Sequence, residues 1–183
     1  MDYTPGIFQT RLDYYVPGKK ERVHTTLAKQ LALYVTMYSP LQMAADLPQT
    51  YERFLDAFKF IEDVAVDWDD TRIIEAEPGE YVTIARKARN RPEWFIGAIT
   101  GENGRTAAIP LDFLESGKKY VATLYADAPD ADWDKNPQAY QIHSYQAGAG
   151  TVLKVRLANG GGAAISLKPL SPGDMAQLQE YAN

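Results

Sequence analysis

Cysteine is absent from the 183 residues of this chain, which excludes disulfides and thiolate metal sites without fixing a compartment. Histidine is scarce as well. Only His24 and His143 occur, far apart in sequence, so a catalytic or metal-binding pair would have to be assembled by the fold. No apolar run reaches the roughly 18–20 residues of a membrane-spanning helix. The longest candidate, residues 31–38, is too short and follows Lys29 and Gln30. The opening MDYTPGIFQT has neither a basic n-region nor an apolar h-region, so no secretory signal is expected in it. Positive charge is not in surplus: 19 basic against 24 acidic side chains leave a net charge of −5, the wrong sign for a phosphate-binding face. G-x-S-x-G elbows, phosphate loops, H-E-x-x-H helices, internal repeats and low-complexity segments are all missing.

What is present is a globular composition, 45% hydrophobic and 23% charged, which excludes wholesale disorder. The length suits one ordinary domain, or a small domain plus a piece of another. The pattern changes near residue 66. Residues 21–64 read as helical, with Thr25 or Thr26 as a cap, or a first turn that begins at Glu21 or Arg22, and a stop at Ser39-Pro40. Between Leu27 and Tyr38 only Lys29, Gln30 and Thr36 are polar, so this helix is expected to be buried on most sides. Pro48 suits the first turn of a second helical stretch over 49–61, with Tyr51, Phe54, Leu55, Phe58 and Ile61 on one side. Beyond Trp68 the signals are strands: 71–76, 81–87, 94–100, 106–110, 120–126, 139–145, 151–157 and 163–167. Turn-rich breaks such as Pro78-Gly79 and Gly160-Gly161-Gly162 separate them, the latter read as a hairpin turn. Such spacing with no helical pattern between predicts an antiparallel sandwich. The tail after Ser171 can add a helical turn at Ser171-Pro172, with Asp174 near its start.

The residues that suggest chemistry are few. Asp130, Asp132 and Asp134 alternate like the opening of a calcium loop. The match fails at Lys135, where glycine is needed, and at Gln141, where a bidentate glutamate should close the shell, so a solvated acidic loop is the better reading. Asp63, Asp67, Asp69 and Asp70 mark an exposed junction between the helical part and the sandwich. Paired carboxylates would suit glycoside chemistry, but nothing selects a pair. Trp68, Trp94 and Trp133 are read as core or cross-strand partners before sugar platforms.

Longer segments say more. MDYTPGIF, RVHTTLAKQLALYVTMYSPLQMAADLPQTYERF, DWDDTRIIEAEPGEYVTIARKA, EWFIGAITGENGRTAAIPLDFL and KKYVATLYADAPDADWDKNPQAYQI together resemble glycoside hydrolase family 97, in unbroken order from Met1 to Leu167. That resemblance implies a large parent enzyme with an N-terminal super-sandwich, a (β/α)8 barrel and a C-terminal sandwich. It also implies hydrolysis of α-glucosides with inversion or α-galactosides with retention, calcium near the active site, and a bacterial periplasmic or secreted location. This chain resembles only the C-terminal part. The family's catalytic carboxylates and calcium ligands lie upstream of MDYTPGIF, so no catalytic residue, metal ligand or cofactor is carried over. Asp2, Tyr3 and Thr4 alone are placed as substrate-binding positions, at the end of a barrel segment, with a purely structural role in the barrel turn as the alternative.

The fold expected is therefore α+β: a helical segment over 1–65 left from the end of a barrel, an antiparallel sandwich over 66–168, and a tail over 169–183. The function expected is that of a C-terminal fragment of an α-glycosidase, structural in role and inactive alone, whose parent acts on α-glycoside oligosaccharides. The alternative is a stand-alone carbohydrate-binding or oligomerisation module. Nucleic acid and membrane are not expected partners. With barrel strands missing, a helix face including some of Leu27, Leu31, Tyr34, Val35 and Tyr38 is expected to lack cover and to drive self-association. The alternative is that this segment folds back on the sandwich, or that residues 1–20 cover it.

Overall fold

A computed structural model describes residues 2–171 and 178–182. Three short α-helices, α1 (Leu27–Thr36), α2 (Pro48–Tyr51) and α3 (Leu55–Asp63), precede eight strands. These are β1 (Trp68–Glu77), β2 (Tyr81–Ala88), β3 (Trp94–Thr100), β4 (Arg105–Pro110), β5 (Tyr120–Asp127), β6 (Tyr140–Ala147), β7 (Val152–Leu157) and β8 (Gly162–Pro169). Every strand predicted from the sequence is present. The turn chemistry explains the clearest boundary: Glu80 N donates to Glu77 O at 3.0 Å, with Pro78 at the second position and Gly79 at φ +85°. That is a type II turn, which needs a positive φ at its third residue.

The strands form a six-stranded antiparallel sheet, in the order β1-β2-β3-β8-β5-β6, and a two-stranded ribbon, β4-β7. The sandwich is thus lopsided. Ile96, Ala98, Ala122, Leu124, Ala163, Ile165 and Leu167 point one way and pack against Ile109, Leu153, Val155 and Leu157 of the ribbon. Phe95, Tyr125 and Ala164 point the other way and pack against Leu27, Leu31, Val35 and Phe60 of the helices. The period-2 alternation of each central strand puts one set of side chains into each layer. Because β7 pairs with β4 while β8 pairs with β3 and β5, Gly160-Gly161-Gly162 carries the chain from one sheet to the other. It is a crossover, not the hairpin turn expected. Local turn chemistry cannot distinguish the two.

The helical part holds three α-helices before residue 65, with the expected cap and stop. Helix α1 begins after Thr26, whose Oγ1 accepts from Lys29 N at 3.2 Å, and ends short of Ser39-Pro40, after which residues 37–47 are irregular. The second stretch is broken between Tyr51 and Leu55 into α2 and α3. Most important, α1 is covered. Leu27, Leu31 and Val35 are fully buried and Tyr34 nearly so, with only Tyr38 exposed among the five residues expected to lie open. The cover comes from β3 and β8 on one side, and from Phe8 and Tyr51 on another. The expected loss of cover is overturned and the alternative holds: the chain's own sheet and its N-terminal segment cover α1.

Two glycines allow α1 to lie so close. A Cβ on Gly97 would stand 2.5 Å from Ala32 O, and one on Gly162 would stand 2.8 Å from Lys29 Cα. Residues 3–10 form an extended strap antiparallel to α1, with Tyr3 beside Gln42 and Gly6 N and Ile7 N donating to Gln30 Oε1 at 2.9 and 3.1 Å. Phe8 N and Gln9 N donate to Asp46 Oδ2 at 2.8 and 2.7 Å. Over residues 3–5 the strap pairs with residues 41–45, but the amides of residues 6–9 find no strand and are satisfied by these side chains. The predicted tail turn at Ser171-Pro172 and Asp174 lies outside the described residues. Residues 178–182 run along β6, with Tyr181 N donating to Gln146 O at 3.0 Å.

Gly97→Ala is expected to lose about 1–3 kcal/mol in urea unfolding, the usual cost of overpacking. Gly150→Ala is expected to be near neutral, because a Cβ there meets nothing within 4 Å. Equal midpoints for the two variants would contradict the close docking of α1. Asp46 generates a pH prediction. Burial raises its pKa, but hydrogen bonds from the Gln9 and Leu47 amides and the Tyr15 hydroxyl outweigh that and hold it below the ordinary 3.8. A folded pKa below the unfolded one contributes stability above the unfolded value that is lost as pH falls through the folded value. Asp46→Asn should therefore be less stable than wild type at pH 7, with the gap narrowing below about pH 4. A gap that is unchanged at pH 3 would refute this.

Candidate functional site

Three regions hold the residues with functional potential. The first is the start of the strap. Asp2 and Thr4 are exposed and Tyr3 is half-buried. Tyr3 N donates to Leu41 O at 3.2 Å and Met43 N to Tyr3 O at 3.0 Å, and burial pushes the Tyr3 phenol up. These residues lie near the C-terminal end of α1, where Tyr34 Oη donates to Pro5 O at 3.1 Å. His24 and Trp133 lie at the other end, so the structure does not bring Asp2, Tyr3 or Thr4 together with them.

The second region is the connection between β5 and β6. Asp132 Oδ1 accepts from Asp134 N and Lys135 N at 2.9 and 3.0 Å, Asp130 Oδ2 accepts from Asn136 Nδ2 at 2.8 Å, and Asp134 pairs with Arg22. The three carboxylates face different backbone and side-chain donors and do not converge. Among the described residues no group of three His, Cys, Asp or Glu side chains gathers as a cation site. The acidic junction is likewise spent on ion pairs: Asp63 with Lys59 and Lys168, Asp67 and Asp69 with Arg89, Asp70 with Arg72.

That same connection carries Trp133, and here the sequence reading fails. Trp94 is buried in the core and Trp68 packs on Phe95, as expected, but Trp133 forms the wall of an open cleft. His24 stands 4.4 Å from it, ring centre to ring centre. Trp133 N donates to Asn159 O at 3.2 Å, and Gly160, at φ +61°, leaves the space its ring fills. The cleft holds about 450 Å³ and is lined by His24, Lys29, Gly101, Glu102, Trp133 and Gly160. Lys29 Nζ donates to Thr100 O at 2.7 Å, and burial lowers its pKa while the Asp127 charge acts in the opposite sense. Asp127, buried beneath, accepts from Ala158 N and Gly162 N at 2.8 and 2.9 Å. Burial pushes its carboxyl up, with hydrogen bonds opposing. No motif signalled this site, since its members come from α1 and four separate connections.

The third region is apolar. Among the described residues twelve large apolar side chains are exposed, and eleven of them lie between Leu12 and Val66. Leu12, Tyr14, Tyr15 and Val16 follow the strap, while Met37, Tyr38, Leu41 and Met43 follow α1. The eight strands contribute only Ile73.

The family model described as "Glycosyl-hydrolase 97 C-terminal, oligomerisation" matches residues 67–168. A retaining α-galactosidase of Bacteroides thetaiotaomicron is 34% identical over 170 residues, covering 92% of this chain and 25% of that protein. A probable retaining α-galactosidase of Streptomyces bingchenggensis is 34% identical over 71% of this chain and 19% of its own length. Among solved structures, a glycoside hydrolase family 97 enzyme of Pseudoalteromonas sp. strain K8, in complex with panose, superposes with a TM-score of 0.88 at 44% identity. The match covers 93% of this chain and 26% of that one. A β-arabinopyranosidase shares the fold at 22% identity and a TM-score of 0.71. This chain therefore spans about a quarter of the length of the relatives it matches.

The acidic turn gives a direct test. Millimolar calcium is expected to leave the melting temperature unchanged, since a ligand stabilises only where it binds the folded state. Asp132→Ala should cost about 0.5–1.5 kcal/mol through the lost turn hydrogen bonds, equally with calcium and with chelator. A calcium-dependent rise abolished by that variant would show that the carboxylates do rearrange around the ion.

Proposed function

This chain belongs to glycoside hydrolase family 97, and from that membership we propose that it is the closing part of an α-glycosidase acting on α-glycoside oligosaccharides. The observation that carries the reading is the division of its surface. The strand region needs no further cover, whereas the helical region presents eleven exposed large apolar side chains. Each such side chain, once buried, contributes about 1.5–3 kcal/mol, so we read their concentration in this region as an interface. Its occupant is the upstream portion of the same polypeptide, which the relatives' greater length supports. In this reading the strap over 3–10 is the last segment of the barrel and α1 the helix that follows it. Asp2, Tyr3 and Thr4 stand where the upstream chain joins. The hydrolytic carboxylates and the carboxylates that hold calcium belong to the upstream portion, and the role of this part is to close the barrel and support assembly.

The family model that names oligomerisation matches the strand region, residues 67–168. Separately, for the isolated chain we propose self-association through the exposed apolar side chains of the helical region, not through the buried face of α1.

The test is a chimera in which the matching segment of the Pseudoalteromonas enzyme is replaced by this chain. It should be soluble and hydrolytic, while the enzyme lacking the segment should not, and Tyr38→Glu with Leu41→Glu should cost at least about tenfold in yield of active enzyme. Full activity of the truncated enzyme would sink the proposal, as would glycosidase turnover by this chain alone. In sedimentation, Tyr14→Glu with Val16→Glu should shift the isolated chain toward monomer, whereas Leu31→Glu should unfold it.

A further inference from the structure

The cleft beside Trp133 has no part in the reading above. It is an open space of about 450 Å³, within the range of small-ligand sites. It meets a second cleft of about 370 Å³ along Lys29 and Gly101. One wall is aromatic and held in place. Trp133 is fixed by Asn159 O and by Gly160, and His24 packs on it with the Arg22 guanidinium 6.0 Å from its ring centre. Arg22 is itself tied to Asp134 O at 3.1 Å, so the wall is set before any ligand arrives. The opposite rim is polar. Lys29 donates to Thr100 O and lines the space, while Glu102 is exposed and lines the same cleft.

The chemistry of these groups selects among ligands. An anion would meet Glu102 here and Glu77 and Glu80 in the adjoining cleft, against the single ammonium of Lys29. A peptide strand would need free backbone groups, but Gly160 N donates to Gly101 O at 2.8 Å, Gly101 N to Glu80 O at 2.6 Å, and Gly160 O accepts from Thr26 N at 3.1 Å. A neutral ring with an apolar edge and several hydroxyls fits on both counts. Its edge lies along the indole and imidazole, and neighbouring hydroxyls accept from Lys29 and donate to Glu102. We infer that this cleft is a binding site for a neutral oligosaccharide, built by the isolated chain and needing no upstream segment.

Titration of the isotope-labelled chain, followed through its amide and indole N–H resonances, tests this with maltotriose and raffinose as neutral probes and with glucuronate and inorganic phosphate as anionic ones. Saturable shifts confined to His24, Lys29, Gly101, Glu102, Trp133 and Gly160 are expected for at least one neutral sugar, with Kd of about 1–10 mM. Trp133→Ala should weaken binding at least about tenfold. Glu102→Gln and His24→Ala change exposed residues and keep the result decisive should Trp133→Ala fail to fold. Each should weaken binding at least about threefold while leaving the rest of the spectrum unmoved. No shift with either sugar, shifts only with the anions, or affinity unchanged in both exposed variants would overturn the assignment. None of these outcomes bears on the chimera, so the two proposals fail separately.

Discussion

The closeness of α1 to the sheet is the constraint on which the rest of the molecule depends. A helix normally rides on a sheet with its side chains between the two backbones. Here Gly97 and Gly162 remove that spacer on β3 and β8, and Ala28 and Ala32 remove it on the helix, so backbone nearly meets backbone. The N-terminal end of α1 is thereby fixed against the crossover from β7 to β8, with Thr26 N on Gly160 O. Asp127 secures that crossover from below by taking two of its amides. A buried carboxylate that accepts several N–H groups loses solvation but gains hydrogen bonds, and the balance pins three connections to one point. Lys29 is carried into the cleft by the same docking, since it sits one turn into the helix.

The strap over 3–10 shows a different solution to the same problem of burial. It lies on the outer side of α1, and beyond its short pairing with residues 41–45 it has no sheet to share, so Gln30 and Asp46 serve as hydrogen-bond partners of residues 6–9. Tyr51 completes the arrangement by donating to Gly6 O at 2.8 Å while accepting from Asp46 N at 2.9 Å. Side chains that stand in for a missing strand make the segment dependent on a few polar groups. This is why the charge on Asp46 matters more than that of the acids on the surface pairs, where exposed ion pairs contribute little.

Much of the strand architecture was legible because its signals are local. Alternation within each strand and the chemistry of Pro78-Gly79 depend on neighbouring residues, and all eight strands stood where these signals put them. The pairing was not legible. Nothing in Asn159-Gly160-Gly161-Gly162 says that the chain leaves one sheet for the other, because glycine permits both outcomes equally. The even apolarity of α1 did say that it is buried, but not by what, and the strap and sheet that cover it are distant in sequence. The cleft was hidden for a related reason. His24, Lys29, Glu102 and Trp133 carry no shared spacing, and Trp133 read as another core aromatic because burial, not residue type, separates a wall from a core. The family resemblance ran through long ordered segments, and so reached further than any of these short patterns.

The apolar surface also bears on how the two halves of the chain divide their work. A central strand must satisfy a face on each side, and the ribbon and the helices supply both. The sheet is therefore complete at β3, β8 and β5, and its outer edge strand β1 is charged and irregular in register at two points, features that discourage edge pairing. The helical half is complete only toward the sheet. Its inner face is used to the last backbone atom at Gly97, while its outer loops leave Tyr14, Tyr38, Leu41 and Leu55 in water. A segment that is tightly docked on one side and apolar on the other transmits position. Whatever covers its outer face is held in register with the sheet through α1, and the rigidity of the glycine contact limits how far the two can shift.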